Sequence, residues 1–141
     1  VKLWRRSYDV RPPLLEPGDP RSPANQNRYK DVSRRLLPLG ESLADTVARV
    51  NPFFQSEVRP LLSAGRSVLI TAHGNSLRAL IMALDGLTSA EIAQVDAPTG
   101  IPLRYTLSPG LAVVEKEYLG DPARLAAGIA RAAGQRKKIK A

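Results

Sequence analysis

Apolar positions along the chain follow two different rhythms. Leu43, Val47, Val50, Phe54, Val58, Leu61 and Leu62 recur mostly at intervals of three and four, which predicts a long amphipathic helix over 41–62. Pro52 and Pro60 lie within it. Proline lacks an N–H and crowds the preceding turn, so a kink or a split into two pieces is expected. Val68 to Ala72 is instead a short continuous run rich in β-branched residues, the pattern of a strand covered on both faces. After His73-Gly74-Asn75-Ser76 the helical period restarts with Leu77, Leu80, Ile81 and Leu84, and Gly86 stands where a C-terminal cap belongs. The segment 67–85 therefore reads as strand, tight turn, helix.

The flanking chain is simpler. Val10 to Leu39 carries prolines at 12, 13, 17, 20, 23 and 38 among Asp, Asn, Ser and Gly, which predicts a long ordered loop with one helical turn near 29–36. Thr88-Ser89-Ala90-Glu91 has capping-box spacing and opens a short helix to about Val95. Ile101–Leu107 and Leu111–Tyr118, separated by Ser108-Pro109-Gly110, predict an antiparallel hairpin. Asp121-Pro122 reads as N-cap and first residue of a last helix, with Leu125, Ile129 and Ala132 on its apolar face and Gly134 at its end. A helix leading into a buried strand is the α/β pattern. One hairpin is little sheet for such a strand, so further chain or a partner is expected to complete it.

Composition narrows the class. At 141 residues, 43% hydrophobic and 24% charged, the chain reads as one globular domain. It has no cysteine, which removes disulfides and thiolate metal sites. No apolar run approaches the roughly 20 residues of a membrane span, and 1–10 has no signal-peptide pattern, so a cytoplasmic location and no membrane partner are expected. The net charge of +8 favours anionic partners. Arg131, Arg136, Lys137, Lys138 and Lys140 crowd the end of the chain, but no stacking aromatics accompany them. The tail reads as solvated, and nucleic acid is not the expected partner.

Two places carry candidate chemistry. His73, the only histidine, stands between Ala72 and Gly74 at the start of a helix, where free backbone N–H groups and an imidazole together make an anion site. Trp4-Arg5-Arg6-Ser7-Tyr8 places two guanidinium forks side by side, suited to carboxylate or phosphate; on spacing alone, a pair of ordinary surface arginines fits as well.

His73-Gly74-Asn75-Ser76-Leu77-Arg78-Ala79-Leu80, taken with Trp4 to Tyr8, Arg28-Tyr29, Pro38 to Leu43, Pro98-Thr99-Gly100 and Tyr118-Leu119-Gly120, closely resembles the bisphosphoglycerate-dependent phosphoglycerate mutases of the histidine phosphatase superfamily. The resemblance runs from Val1 to about Gly134 and matches the C-terminal portion of that family. It implies an α/β chain, part of a three-layer fold with a mostly parallel sheet. Residues 1–40 would be a substrate-binding loop region, 41–134 the α/β core and 135–141 a basic tail lying over the site. The implied reaction interconverts 3-phosphoglycerate and 2-phosphoglycerate by a phosphohistidine relay, primed by 2,3-bisphosphoglycerate, with no metal and in a homo-oligomer. His73 would stabilise the phosphoryl group in flight, Gly74 and Asn75 would contact substrate at the helix start, and Arg5 and Arg6 would grip its phosphate or carboxylate.

The departure from the family is equally specific. The relay uses an Arg-His-Gly histidine as nucleophile and a glutamate as acid and base, both from an N-terminal segment that this sequence lacks. With Val1 in place of Met, this leads to the expectation of a C-terminal portion that is inactive alone. A phosphatase of the same superfamily, or a non-catalytic basic remnant that binds polyanions, are the other readings.

Overall fold

Ser42 starts the main helix by a reciprocal cap. Its Oγ accepts the Asp45 N–H at 3.2 Å, and its own N–H donates to Asp45 Oδ2 at 2.9 Å. In the computed structural model, which describes Trp4 and residues 7–16 and 18–134, this cap opens α1 (Leu43–Phe53). The predicted break is a single wide turn rather than a sharp kink. A π-helical turn, Phe54–Val58, joins α1 to α2 (Arg59–Ser63), whose first turn holds Pro60. The wider turn accommodates a ring that cannot donate to the preceding carbonyl.

Helix α3 (Gly74–Asp85) packs against α1. Val50, Phe54, Val58, Ala79 and Leu80 form one buried cluster, bordered by Val47, Leu62, Leu77 and Leu84. Leu43, Ile81 and Ile92 form a second, bordered by Tyr8, Met82 and Leu103. Val47 touches both. The predicted faces of both helices are thus the buried ones, except that Leu61 is exposed. Gly86 ends α3 in the left-handed conformation (φ 64°), its N–H returning to the Met82 carbonyl. Thr88 and Glu91 form the expected capping box of α4 (Ser89–Ile92), which stops short of Val95.

The run Val68–Ala72 differs from expectation. Among the described residues the only ladder is the hairpin of β1 (Leu103–Leu107) and β2 (Val113–Tyr118), and Val68–Ala72 joins no ladder. Val68 and Ile70 pack on the first cluster, whereas Leu69 is 88% exposed. An extended segment becomes a strand only when a neighbour takes its N–H and C=O groups, and no described segment does so.

The hairpin pairs Leu103 with Tyr118 and Thr106 with Glu115, then slips so that Leu107 faces Val113. Its connection is longer than Ser108–Gly110. Ser108 receives the Leu111 N–H on its carbonyl and the Ala112 N–H on its Oγ, and Leu111 rather than a glycine takes the positive φ of 62°. Lys116 pairs with Asp85 and lies over the Tyr105 ring, tying the hairpin to the end of α3. Helix α5 (Pro122–Gly134) begins as predicted, with Asp121 Oδ1 accepting the Arg124 N–H at 3.0 Å. It docks through Leu125 and Gly128, while Ile129, expected on the inner face, is exposed.

The proline-rich loop holds three one-turn helices, Pro23–Asn25, Asn27–Tyr29 and Arg34–Leu36, where one was expected. A bond from the Leu15 N–H to the Leu39 carbonyl (3.0 Å) draws its ends together. Arg11 forks onto Asp45 at 2.6 and 2.5 Å, fastening the loop to the start of α1.

Candidate active site

His73 is the N-cap of α3. Its backbone is extended (φ −62°, ψ 147°), its carbonyl accepts the Leu77 N–H at 3.0 Å, and its ring Nδ1 accepts the Asn75 N–H at 3.3 Å. Histidine is here doing what Ser, Thr or Asp usually does at a helix start. An Nδ1 that accepts a bond carries no proton, so the neutral ring holds its hydrogen on Nε2. The exposed imidazole therefore offers an N–H donor beside the positive end of a twelve-residue helix. The N–H groups of Gly74 and Ser76 belong to the first turn, where no preceding helical carbonyl exists to accept them. A Cβ at Gly74 would meet nothing within 4 Å, so the backbone there is open to approach. The Asn75 side-chain amide makes no hydrogen bond among the described residues. Nearly every group at this turn donates, which suits an oxyanion.

A cavity of about 340 Å³ lies beside the turn, lined by Arg49, Val50, Phe53, Ile70, Ala72, Ser76 and Leu80. Its one charged residue, Arg49, is committed to Glu41 through bonds of 2.7 and 3.0 Å, and that pairing raises the guanidinium pKa. The cavity wall is therefore mostly apolar, and the anion-binding character belongs to the turn itself.

The structure brings His73, Gly74 and Asn75 together. Arg5, Arg6 and the lysines of 137–140 lie outside the described residues. Tyr8 is structural: it borders the second core cluster, and its carbonyl accepts the Ala44 N–H at 2.8 Å. Arg28 stacks on Tyr29 in the loop at 5.8 Å from the ring centre. Two positioning contacts escaped the sequence reading. Arg78, one turn beyond Gly74, donates to the Ile92 carbonyl at 2.6 Å and joins α3 to α4. Asp45 takes part in the α1 cap and receives Arg11, which holds its carboxyl well below its ordinary pKa. The Ser42-x-x-Asp45 spacing was a legible cap signal; the Arg11 partner, 34 positions away, was not.

A phosphate-sized donor cluster at the N-terminus of a core helix, carrying one histidine, defines a phosphoryl-handling α/β protein. Residues 17–107 match the histidine phosphatase superfamily (branch 1), and the chain belongs to that family. It is 48% identical over 138 residues to a 2,3-bisphosphoglycerate-dependent phosphoglycerate mutase of Treponema denticola, covering 98% of this chain and 56% of that protein. It is 54% identical over 123 residues to the enzyme of the same name from Nitratidesulfovibrio vulgaris (strain Hildenborough), covering 87% of this chain and 49% of that protein. The chain spans about half the length of the curated relatives it matches.

Proposed function

We propose that this chain is the His73-bearing portion of a 2,3-bisphosphoglycerate-dependent phosphoglycerate mutase, interconverting 3-phosphoglycerate and 2-phosphoglycerate. The observation that carries the proposal is the His73 turn, an outward Nε2–H on a helix start, in a chain about half identical to mutases of that name. His73 donates from Nε2 to the oxygens of the phosphoryl group as it transfers. Gly74 and Asn75 contribute backbone room and a side-chain amide, and Arg5 and Arg6 hold the substrate's phosphate or carboxylate. Such donors act by stabilising charge in a loose transition state, and fixed geometry makes them effective. The all-donor turn fits the phosphates of 2,3-bisphosphoglycerate, which when bound supplies the phosphoryl group that primes the enzyme. No metal is assigned a role.

A relay needs a nucleophilic histidine in addition to a stabilising one, and this sequence has a single histidine. The 141-residue chain by itself is therefore inactive in this proposal. In the complete enzyme Val68–Thr71 pairs as a parallel strand within a larger sheet, which accounts for an apolar run with one bare face. Residues 1–40 serve as the substrate-binding loop region, 41–134 as core and 135–141 as a basic tail over the site. The enzyme is a cytoplasmic homo-oligomer; among the described residues no helix is long and apolar enough to cross a membrane. The mutase names of the relatives favour this reading over a phosphatase.

The test is turnover of 3-phosphoglycerate with 2,3-bisphosphoglycerate present. The complete protein is expected to form 2-phosphoglycerate, and the 141-residue chain is expected to form none. Phosphate release in place of isomerisation by the complete protein would overturn the mutase assignment.

A further inference from the structure

We infer that Ser22, Arg34 and Arg35 form a second binding site for a phosphate group, borne by a small phosphorylated metabolite, in the proline-rich loop. A cavity of about 320 Å³ opens there, lined by Ser22, Ala24, Arg34, Arg35, Leu37 and Leu39. That volume lies at the small end of the range for ligand pockets. It shares no lining residue with the cavity beside His73.

Ser22 is 0% exposed, and its Oγ has no hydrogen-bond partner. Buried hydroxyls are normally bonded, so an orphan one lining a cavity calls for a ligand. Its backbone is already committed: the N–H goes to the Asp19 carbonyl at 2.9 Å, and the carbonyl accepts the Asn25 N–H at 3.0 Å. Only the hydroxyl is left over. Arg34 and Arg35 form no ion pair and no side-chain hydrogen bond among the described residues. The nearby Asp19 carboxylate does not compete for them, because Arg21 forks onto it at 2.9 and 2.6 Å and lowers its pKa to about 2.

Two uncommitted guanidinium groups and a hydroxyl donor match the several acceptor oxygens of a phosphate monoester. Leu37, Leu39 and Ala24 give its carbon chain an apolar wall. The loop's short turns set this geometry: Pro23–Asn25 follows Ser22 directly, and Arg34–Leu36 presents both arginines from one turn.

The experiment titrates the full chain with inorganic phosphate and with glycerol 3-phosphate, following the Ser22 amide and arginine Nε signals by NMR. Saturable shifts at Ser22, Arg34 and Arg35 are expected. Arg34→Gln and Arg35→Gln are each expected to weaken binding about tenfold, the worth of one charge-assisted bond. Ser22→Ala should weaken binding several-fold while leaving the thermal midpoint without phosphate equal or higher, since it removes an unpaired buried hydroxyl. His73→Ala should leave this site's affinity unchanged. Binding indifferent to both arginine substitutions, or weakened equally by the control Arg66→Gln, would overturn the inference, as would the absence of saturable shifts. A Ser22→Ala chain with a lowered midpoint and unchanged affinity would overturn it too, by assigning the hydroxyl to structure.

Discussion

His73 Nδ1 accepts the Asn75 N–H at 3.3 Å, and this one bond decides which ring nitrogen faces the outside. The residue that caps the helix is also the residue proposed to meet the phosphoryl group, so its two roles separate by ring atom. In the complete enzyme His73→Ala is expected to lower kcat by about 100- to 1,000-fold, the usual effect of removing one oxyanion donor. His73→Asn keeps a capping acceptor and should match wild-type thermal stability, with the same loss of kcat. His73→Ala should additionally cost about 0.5–1 kcal/mol of stability. Steady-state rates paired with thermal melts separate the two roles.

Asp45 makes folding stability depend on acid. Its folded pKa lies below the ordinary 3.8 because Arg11 and then Ser42 bond to the ionised form. A depressed folded pKa contributes stability that is fully present above the unfolded value and is lost as pH falls through the folded one. Urea midpoints should therefore hold steady from pH 7 to about 5 and decline below about 4. Asp45→Asn is expected to lower stability at pH 7 by about 1 kcal/mol and to flatten part of that decline. An unchanged acid limb in the variant would assign it to other carboxylates.

Gly128 lets α5 seat on the Pro98–Ile101 segment. A Cβ there would stand 2.8 Å from Ile101 Cδ1 and 3.3 Å from Pro98 Cβ. Alanine in a helix gains about 1 kcal/mol over glycine, but overpacking costs about 1–3 kcal/mol. Gly128→Ala should be destabilising by about 1 kcal/mol on balance. In an Ile101→Val background the obstructing methyl is gone, and the same substitution should become stabilising. Chemical denaturation of the four-member cycle reads the reversal of sign.

Leu69 and Ile70 are adjacent and answer to different surroundings. In the 141-residue chain Leu69→Lys should change stability by less than about 0.5 kcal/mol, as exposed positions do. Ile70→Ala, against the first core cluster, should cost about 1–2 kcal/mol for a half-buried side chain. If Val68–Thr71 is an interior strand of the complete enzyme, Leu69→Lys becomes severely destabilising there. Equal tolerance of Leu69→Lys in both proteins would remove that strand from the proposal.

The parts of the fold that sequence reading captured are those set by neighbours in the chain. The apolar face from Leu43 to Leu62, the Leu77–Leu84 face, the Gly86 cap, the Thr88–Glu91 box and the Asp121-Pro122 helix start all rest on side chains within a turn or two. The wide turn at Phe54–Val58 was foreshadowed by Pro60, although its form was not. His73, Gly74 and Asn75 were legible as an anion-binding turn for the same local reason.

What the sequence by itself determined is therefore where helices begin, end and turn an apolar face, and that a histidine caps the central one. Only the tertiary structure decided which extended segments find partners. Val68–Ala72 has the composition of a buried strand, yet a ladder requires a second segment at bonding distance, and composition is silent about that segment. The fork of Arg11 on Asp45, the seat of Gly128 on Ile101 and the cavity that unites Ser22 with Arg34 and Arg35 are likewise meetings of distant positions. Chain periodicity carries no information about such meetings, because they depend on how whole elements pack.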